Sequence, residues 1–269
     1  MEKVFGFIGA GNMGSALARA AARKLPARQI EISNRTASKA EALAEELGAR
    51  AVSNKEAAQS SYYIFLGVKP QMMEGLFEEI RPVLLEREDP FVLVSMAAGL
   101  SMERICELVG KPVPVIRIMP NTPCAIGEGV ALIACNSLVS EADAQYFNYS
   151  MSGAGRFVPL AENLFDAGGA ISGCGPAFVS MFIEALADGG VRCGLPRKAA
   201  IELASQTLAG TAKLQLQTGK HPGVMKDEVC SPAGSTIEGV LVLEESSFRS
   251  AVSEAVIASC EKSAALGKK

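Results

Sequence analysis

Short, largely apolar runs at residues 4–8, 62–68, 91–95 and 113–118 punctuate the first part of the chain, residues 29–33 read as a second strand, and a briefer one lies near Ala51. Each is too short for a helical stripe, and each predicts a strand. Between them the apolar positions change period. Ala16, Leu17, Ala20 and Ala21 recur at helical spacing until Pro26 stops the helix. Residues 38–47 repeat the pattern, and Gly48 then supplies the residue that tolerates a left-handed C-terminal position. Residues 71–85 and 101–109 predict further helices. Largely apolar strands alternating with helices predict a parallel sheet covered on both faces. Runs at 129–134 and 156–159 add edge strands, with a helix after Ser140 between them. There Ser140-Glu141-Ala142-Asp143 fits a reciprocal helix cap.

From about Glu162 the rhythm changes. Residues 178–191, 197–216 and 248–266 are long, Ala-rich and helical in period, with no convincing strand among them. The chain therefore divides near residue 160. Residues 1–160 form an α/β domain with a parallel sheet, and residues 161–269 an all-helical domain. The later helices have little polar surface for a free-standing domain, which predicts burial against another subunit and at least a dimer.

Composition narrows the functional classes. The 269 residues carry 26 basic and 29 acidic side chains, for a net charge of −3, with 49% hydrophobic residues. That is a globular composition, long enough to bury its core without staples. A slightly acidic chain with no Trp and no basic run is a poor match for a phosphate backbone, so nucleic acid is not an expected partner. The seven cysteines are odd in number, scattered and never in C-x-x-C spacing, which predicts reduced thiols in a cytoplasmic protein. A single histidine, His221, excludes a His-rich metal site, and no metal is expected. Its setting, Gly219-Lys220-His221-Pro222-Gly223, reads as an exposed turn and not as a catalytic position. The nearly uncharged stretch 91–102 is too short to cross a bilayer, and no membrane association is expected. Lys3 before an apolar run weakly echoes a signal peptide, but Asn12 and Arg19 interrupt it.

The glycines that follow the first strand have a better explanation. Gly9-Ala10-Gly11-Asn12-Met13-Gly14 lies after a strand and opens a helix, the context that makes a glycine triplet a dinucleotide fingerprint. Gly9 permits the tight turn, Gly11 lets the backbone approach a pyrophosphate, and Gly14 lets helix and strand pack closely. The first domain thus reads as Rossmann-type. The end of the second strand is due an Asp or Glu for the ribose of NAD or FAD, yet it carries Ser33-Asn34-Arg35-Thr36. A cation among neutral donors welcomes a ribose 2′-phosphate, so NADP(H) is the expected cofactor. Arg35 also reads as a solvated helix-entry residue. Glu31 lies earlier in the strand and is less well placed. Gly67-Val68-Lys69-Pro70 and Ser95-Met96-Ala97-Ala98-Gly99 follow strands at their C-terminal ends, where ligands bind in open sheets, and their small residues let a flat ring approach. Lys69 reads equally as a catalytic acid and as a surface charge.

Over its whole length the chain resembles pyrroline-5-carboxylate reductase. Phe7-Ile8-Gly9-Ala10-Gly11-Asn12-Met13-Gly14 is shared with other NADP-linked reductases, whereas Val68-Lys69-Pro70, Ala97-Ala98-Gly99 and Arg117-Ile118-Met119-Pro120-Asn121-Thr122-Pro123 are more telling. The most specific stretch is His221-Pro222-Gly223 through Lys226-Asp227-Glu228-Val229-Cys230-Ser231-Pro232-Ala233-Gly234-Ser235-Thr236. The resemblance implies reduction of 1-pyrroline-5-carboxylate to proline by NAD(P)H, the last step of proline synthesis. It implies that NADP(H) is held by Ile8, Gly9, Ala10, Gly11, Asn12, Met13 and Gly14, by Asn34, Arg35, Thr36 and Asn54, and by Gly67, Val68, Lys69, Pro70, Ala97, Ala98 and Gly99. Ser231, Gly234, Ser235 and Thr236 would hold the substrate carboxylate, with Thr236 the catalytic contact. The implied fold is a Rossmann domain with a helical dimerisation domain, active sites between subunits, and often a ring of dimers.

Two departures stand out. The family usually has Pro-Gly-Gly-Thr-Thr where this chain has Pro232-Ala233-Gly234-Ser235-Thr236, so Ala233 argues against a positive φ angle there. Cys174 and Phe178 replace a Ser and a Tyr, losing two hydroxyls. The loop also reads as an ordinary cap, with Ser231 before Pro232 at the first helical position. Two other functions fit the glycine loop: a β-hydroxyacid dehydrogenase-like NADP-dependent oxidoreductase, and a non-enzymatic NADP-binding oligomer. The first needs a Lys base on the helix at 178–191, which offers Glu184 and Asp188 instead. The second has no need of the polar loop at 231–236.

Overall fold

In the computed structural model, which describes residues 2–266, strand and helix alternate from the start. The order is β1 (Phe5–Ile8), α1 (Asn12–Ala22), β2 (Ile30–Ser33), α2 (Ala37–Leu47), β3 (Arg50–Ala51), α3 (Asn54–Ser60), β4 (Tyr63–Leu66), α4 (Met73–Glu86), β5 (Val92–Ser95), α5 (Met102–Val109), β6 (Val115–Met119), β7 (Gly129–Cys135), α6 (Glu141–Met151) and β8 (Gly155–Pro159). The strands form one sheet in the order β3-β2-β1-β4-β5-β6-β7-β8. All neighbours run parallel except β6 and β7, which are antiparallel.

Every residue of β1, β2, β4 and β5 is buried, because helices cover both faces of these strands. Alternation along each strand sorts the side chains into two cores. Phe5, Phe7, Tyr63, Phe65 and Phe147 fill one, with Phe7 and Phe65 stacked at 4.3 Å. Ile8, Ile64, Leu66, Leu93 and Phe77 fill the other.

The side chains correct one local reading and add a helix that the pattern does not show. At Ser140 only half of the reciprocal cap forms: its hydroxyl accepts from the Asp143 N–H at 3.1 Å, while the Asp143 carboxylate accepts from Ser140 Oγ, Lys3 Nζ and Tyr62 Oη. Lys3 and Tyr62 draw the short Asp side chain away from the Ser140 backbone. The complete box occurs at Ser53 and Glu56, where it starts α3, a helix that the apolar pattern does not predict.

The chain divides into two compact units, one of residues up to Gly173 together with the chain from Ser259, the other Cys174–Ala258. The remaining elements are all helical: α7 (Phe165–Ser172), α8 (Gly175–Arg192), α9 (Arg197–Thr218), α10 (Pro222–Glu228), α11 (Ser235–Glu245) and α12 (Phe248–Leu266). In the first unit Arg117 pairs with Glu162 at 2.8 Å and lies over the Phe165 ring. In the second, α8 packs on α9 through small residues, with Gly190 beside Ala200. Large apolar side chains nevertheless stay exposed there, among them Met181, Leu203, Leu216 and Val242. The segment Glu162–Arg192 is long and apolar enough to cross a membrane by length and composition, although a turn at residues 173–174 interrupts it. The uncharged stretch 91–102 is thus not the one that comes nearest to a span.

Candidate functional site

Strands β2, β1 and β4 lie side by side, and the turns at their C-terminal ends line a cleft of about 610 Å³. That volume is in the range of small-molecule sites. Ile8, Gly9, Ala10 and Gly11 line it from the turn after β1, Asn34, Arg35 and Thr36 from the end of β2, Asn54 from α3, and Gly67, Val68 and Lys69 from the turn after β4.

The glycine turn holds a conformation that other residues resist. Gly9 has a φ of 104°, and its N–H donates to the Ser33 carbonyl at 2.8 Å. Gly11 is the N-cap of α1; it brings no capping side chain, and the first turn of the helix has no acid. The first N–H groups of α1 are therefore open to an anion. A Cβ built on Gly11 would meet nothing within 4 Å, since it would enter the free space of the cleft. This cradle fits a diphosphate.

Charge favours the same occupant. Arg35, Lys39 and Lys69 all line the cleft, and none makes an ion pair among the described residues. Among the described residues the one acid in the lining, Glu79, accepts a hydrogen bond from Asn54 Nδ2 at 2.8 Å. Glu31 is buried and committed elsewhere, accepting from Ser60 and Ser61 and pairing with Arg50. The end of β2 thus presents cations and neutral donors to the cleft and no carboxylate.

Several residues expected at the cofactor lie beside the cleft instead of in its lining. Asn12 and Met13 form the first turn of α1, and Gly14 packs beneath the turn. Pro70 begins a short 3-10 turn, and Ala97, Ala98 and Gly99 follow β5, with Gly99 at φ 77°. Conversely, the cleft takes in Lys39, Gln71, Met72, Gly75, Leu76 and Glu79, which the motifs do not mark. A signal exists for most of them. Met72, Gly75, Leu76 and Glu79 recur at helical spacing along one stripe, and Lys39, four residues after Arg35, lies in the first turn of α2.

In the second unit, Ser231, Gly234, Ser235 and Thr236 gather at the start of α11. The helix begins at Ser235 with Gly234 as N-cap, so Ser231 is not the cap. Pro232 and Ala233 instead occupy the middle of a turn closed by the Gly234 N–H donating to the Ser231 carbonyl at 3.0 Å. Ala233 has a φ of 57°, so the turn keeps the left-handed residue that its third position requires even without glycine. A Cβ on Gly234 would fall 3.1 Å from the Ser231 carbonyl oxygen and 2.5 Å from the rotatable Ser231 Oγ, a tight fit. No side chain caps α11, and the Ser231, Ser235 and Thr236 hydroxyls have no partner among the described residues. His221 is exposed; its Nδ1 accepts from the Gly223 N–H at 3.1 Å and caps α10.

Comparison with known proteins covers the whole chain. Residues 162–266 match the pyrroline-5-carboxylate reductase dimerisation family, and residues 4–99 the family described as NADP oxidoreductase, coenzyme F420-dependent. The pyrroline-5-carboxylate reductase of Escherichia coli K12 is 41% identical over 272 residues, covering 100% of both chains. That of Pisum sativum is 38% identical over 96% of this chain and 94% of its own. The crystal structure of Plasmodium falciparum pyrroline carboxylate reductase with NADP bound is 34% identical, covers 99% of both chains and superposes with a TM-score of 0.85. With the glycine cradle, the cationic cleft and the polar start of α11 in one chain of this length, the protein belongs to the pyrroline-5-carboxylate reductase family.

Proposed function

We propose that this protein reduces 1-pyrroline-5-carboxylate to L-proline with NADPH, in the cytoplasm, as a homodimer from which a ring of dimers is built. The observation that carries the cofactor reading is the set of cations without an ion pair among the described residues, Arg35, Lys39 and Lys69, around the cleft of the glycine turn. The backbone N–H groups at the start of α1 suit the diphosphate, and Arg35 with Lys39 suits a 2′-phosphate. Bound NADPH supplies a hydride.

The substrate nitrogen is basic enough to bind as the iminium, already protonated and electrophilic. Hydride addition at the C=N carbon then yields the secondary amine directly, so the protein needs orientation more than a strong acid–base pair. A single carboxylate is the handle for that orientation. The uncapped N–H groups of α11 and the free hydroxyls of Ser231, Ser235 and Thr236 are donors of the right kind, and Thr236 is the contact we assign to catalysis. His221 is engaged in capping α10 and has no part in this chemistry.

Dimerisation is supported by the family match at 162–266 and by the apolar side chains left exposed on α8, α9 and α11. All seven cysteines are free, in keeping with a reducing compartment. The deciding experiment follows NADPH oxidation with pyrroline-5-carboxylate, and NADP reduction with 3-hydroxyacids. Turnover of the imine alone is expected. Turnover of the hydroxyacids alone would assign the cleft to a dehydrogenase, and no turnover of either would leave a nucleotide-binding oligomer.

A further inference from the structure

Asn54 sits in the cleft between two fixed partners. Ser33 Oγ donates to Asn54 Oδ1 at 2.6 Å, and Asn54 Nδ2 donates to Glu79 Oε2 at 2.8 Å. The direction of this chain follows from its last member. A carboxylate only accepts, so the Asn54 amide must turn its N–H₂ toward Glu79 and its oxygen toward Ser33, whose hydroxyl must then donate. Ser33 is buried in β2, and Glu79 stands on the α4 stripe that lines the cleft beside Gly75 and Leu76.

We propose that Glu79 is a positioning residue for the nucleotide, acting through Asn54. With the amide orientation fixed, Asn54 keeps one N–H and one oxygen lone pair for a ligand. A sugar hydroxyl both donates and accepts, so this adjacent pair is the chemistry that recognises the sugar of a nucleotide. With a neutral amide at position 79 the lock is lost. Gln offers a donor as well as an acceptor, so Asn54 takes either orientation and presents the matched pair only part of the time.

The inference rests on the cofactor reading of the cleft, and its test separates the two. Calorimetric titration with NADPH and with NADH would compare the wild type with Glu79→Gln, Asn54→Ala and the double variant. Asn54→Ser replaces the alanine variant should the latter melt early. Asn54→Ala is expected to weaken NADPH binding about tenfold and Glu79→Gln about fivefold, with the double variant no weaker than Asn54→Ala alone. Because the effect lies at the sugar and not at the 2′-phosphate, NADPH and NADH should weaken in equal proportion. The loss should fall on the cofactor KM and not on kcat, with the melting temperature of Glu79→Gln unchanged. If Asn54→Ala weakens binding while Glu79→Gln does not, or if the two losses multiply, Glu79 is not acting through Asn54 and the inference fails while the cofactor reading stands. If Asn54→Ala leaves the affinity of both nucleotides intact, the cofactor reading of Asn54 fails, and the inference with it.

Discussion

Gly14 lies so close beneath Gly9 that a Cβ added to it would come within 2.1 Å of the Gly9 carbonyl oxygen. The neighbouring atom is backbone, not the end of a flexible side chain, so the helix would have to move. Gly14→Ala should therefore lower stability by about 1–3 kcal/mol, as overpacking does, and weaken NADPH by displacing the start of α1. Thermal melting and a NADPH titration would show both. An alanine variant with wild-type melting and affinity would contradict the close approach.

Arg35 is exposed, lines the cleft and has no acidic partner among the described residues. Removing it leaves the rest of the nucleotide site intact but deletes a charge-assisted contact to a 2′-phosphate. Arg35→Ala should cost about 1–3 kcal/mol of NADPH binding and leave NADH nearly unchanged. Lys39→Ala should act in the same direction. A wild-type protein that turns over NADH better than NADPH would sink this assignment.

Far from the cleft, Asp143 ties α6 to β4 and the chain start. Burial pushes its carboxyl up, but hydrogen bonds from Lys3, Ser140 and Tyr62 outweigh burial and hold it below the usual aspartate range. Burial, and then the bond to Asp143, raises the Tyr62 hydroxyl to about 12, so it stays a donor across the working range. A carboxylate depressed on folding stabilises the protein above its unfolded pKa, and that contribution is lost as pH falls through the folded value. Asp143→Asn should thus cost about 1–3 kcal/mol near neutrality, and the gap to wild type should close below about pH 4. Denaturant melts across that range would test it, and a gap that stays constant would show that the ionised form is not the source.

The alternating half of the fold is legible because most of its strands are largely apolar and most of its helices begin and end at recognisable residues. Where legibility failed, the cause is local. Ser53-Asn54-Lys55-Glu56 is a complete capping box, yet only Ala57 and Ala58 of α3 are buried, so no apolar stripe announces the helix. The antiparallel turn of β7 against β6 is invisible in apolar content, although residues 120–128 are too few for a crossover helix. Lys39 and Glu79 reach the cleft from helix positions whose charge reads as solvated, so their spacing from Arg35 and from Met72, Gly75 and Leu76 is the one signal that marks them. In the start of α11, by contrast, the resemblance located the polar loop while residue propensity misjudged its backbone.

Ala233 is where propensity and fold disagree most plainly. A left-handed backbone costs a non-glycine residue about 1–2 kcal/mol, and Ala233 adopts one at φ 57°. Glycine relieves that strain but adds about 0.4–1 kcal/mol of unfolded-state entropy to overcome. Ala233→Gly should thus raise stability by about 0.5 kcal/mol, the reverse of what glycine does in a helix. A lower melting temperature for the glycine variant would mean that the turn does not need a positive φ.

The start of α11 also supplies the sharpest test of the substrate assignment. A small anion without a phosphate or a large apolar body has one group by which it is oriented, its carboxylate. Thr236 lies in the first turn of α11, exposed and with its hydroxyl unpartnered among the described residues. Thr236→Val keeps the shape and the β-branch while deleting one hydrogen bond to a charged group. The expected loss is about 1.5–3 kcal/mol, or roughly 10- to 150-fold in kcat/KM for pyrroline-5-carboxylate. NADPH affinity should hardly move, because the glycine cradle and the cations belong to the other unit. Thr236→Ser, which restores the hydroxyl, should recover most of the activity. If the valine variant instead keeps full turnover of the imine but loses NADPH binding, the loop serves the cofactor, and the carboxylate must be held elsewhere.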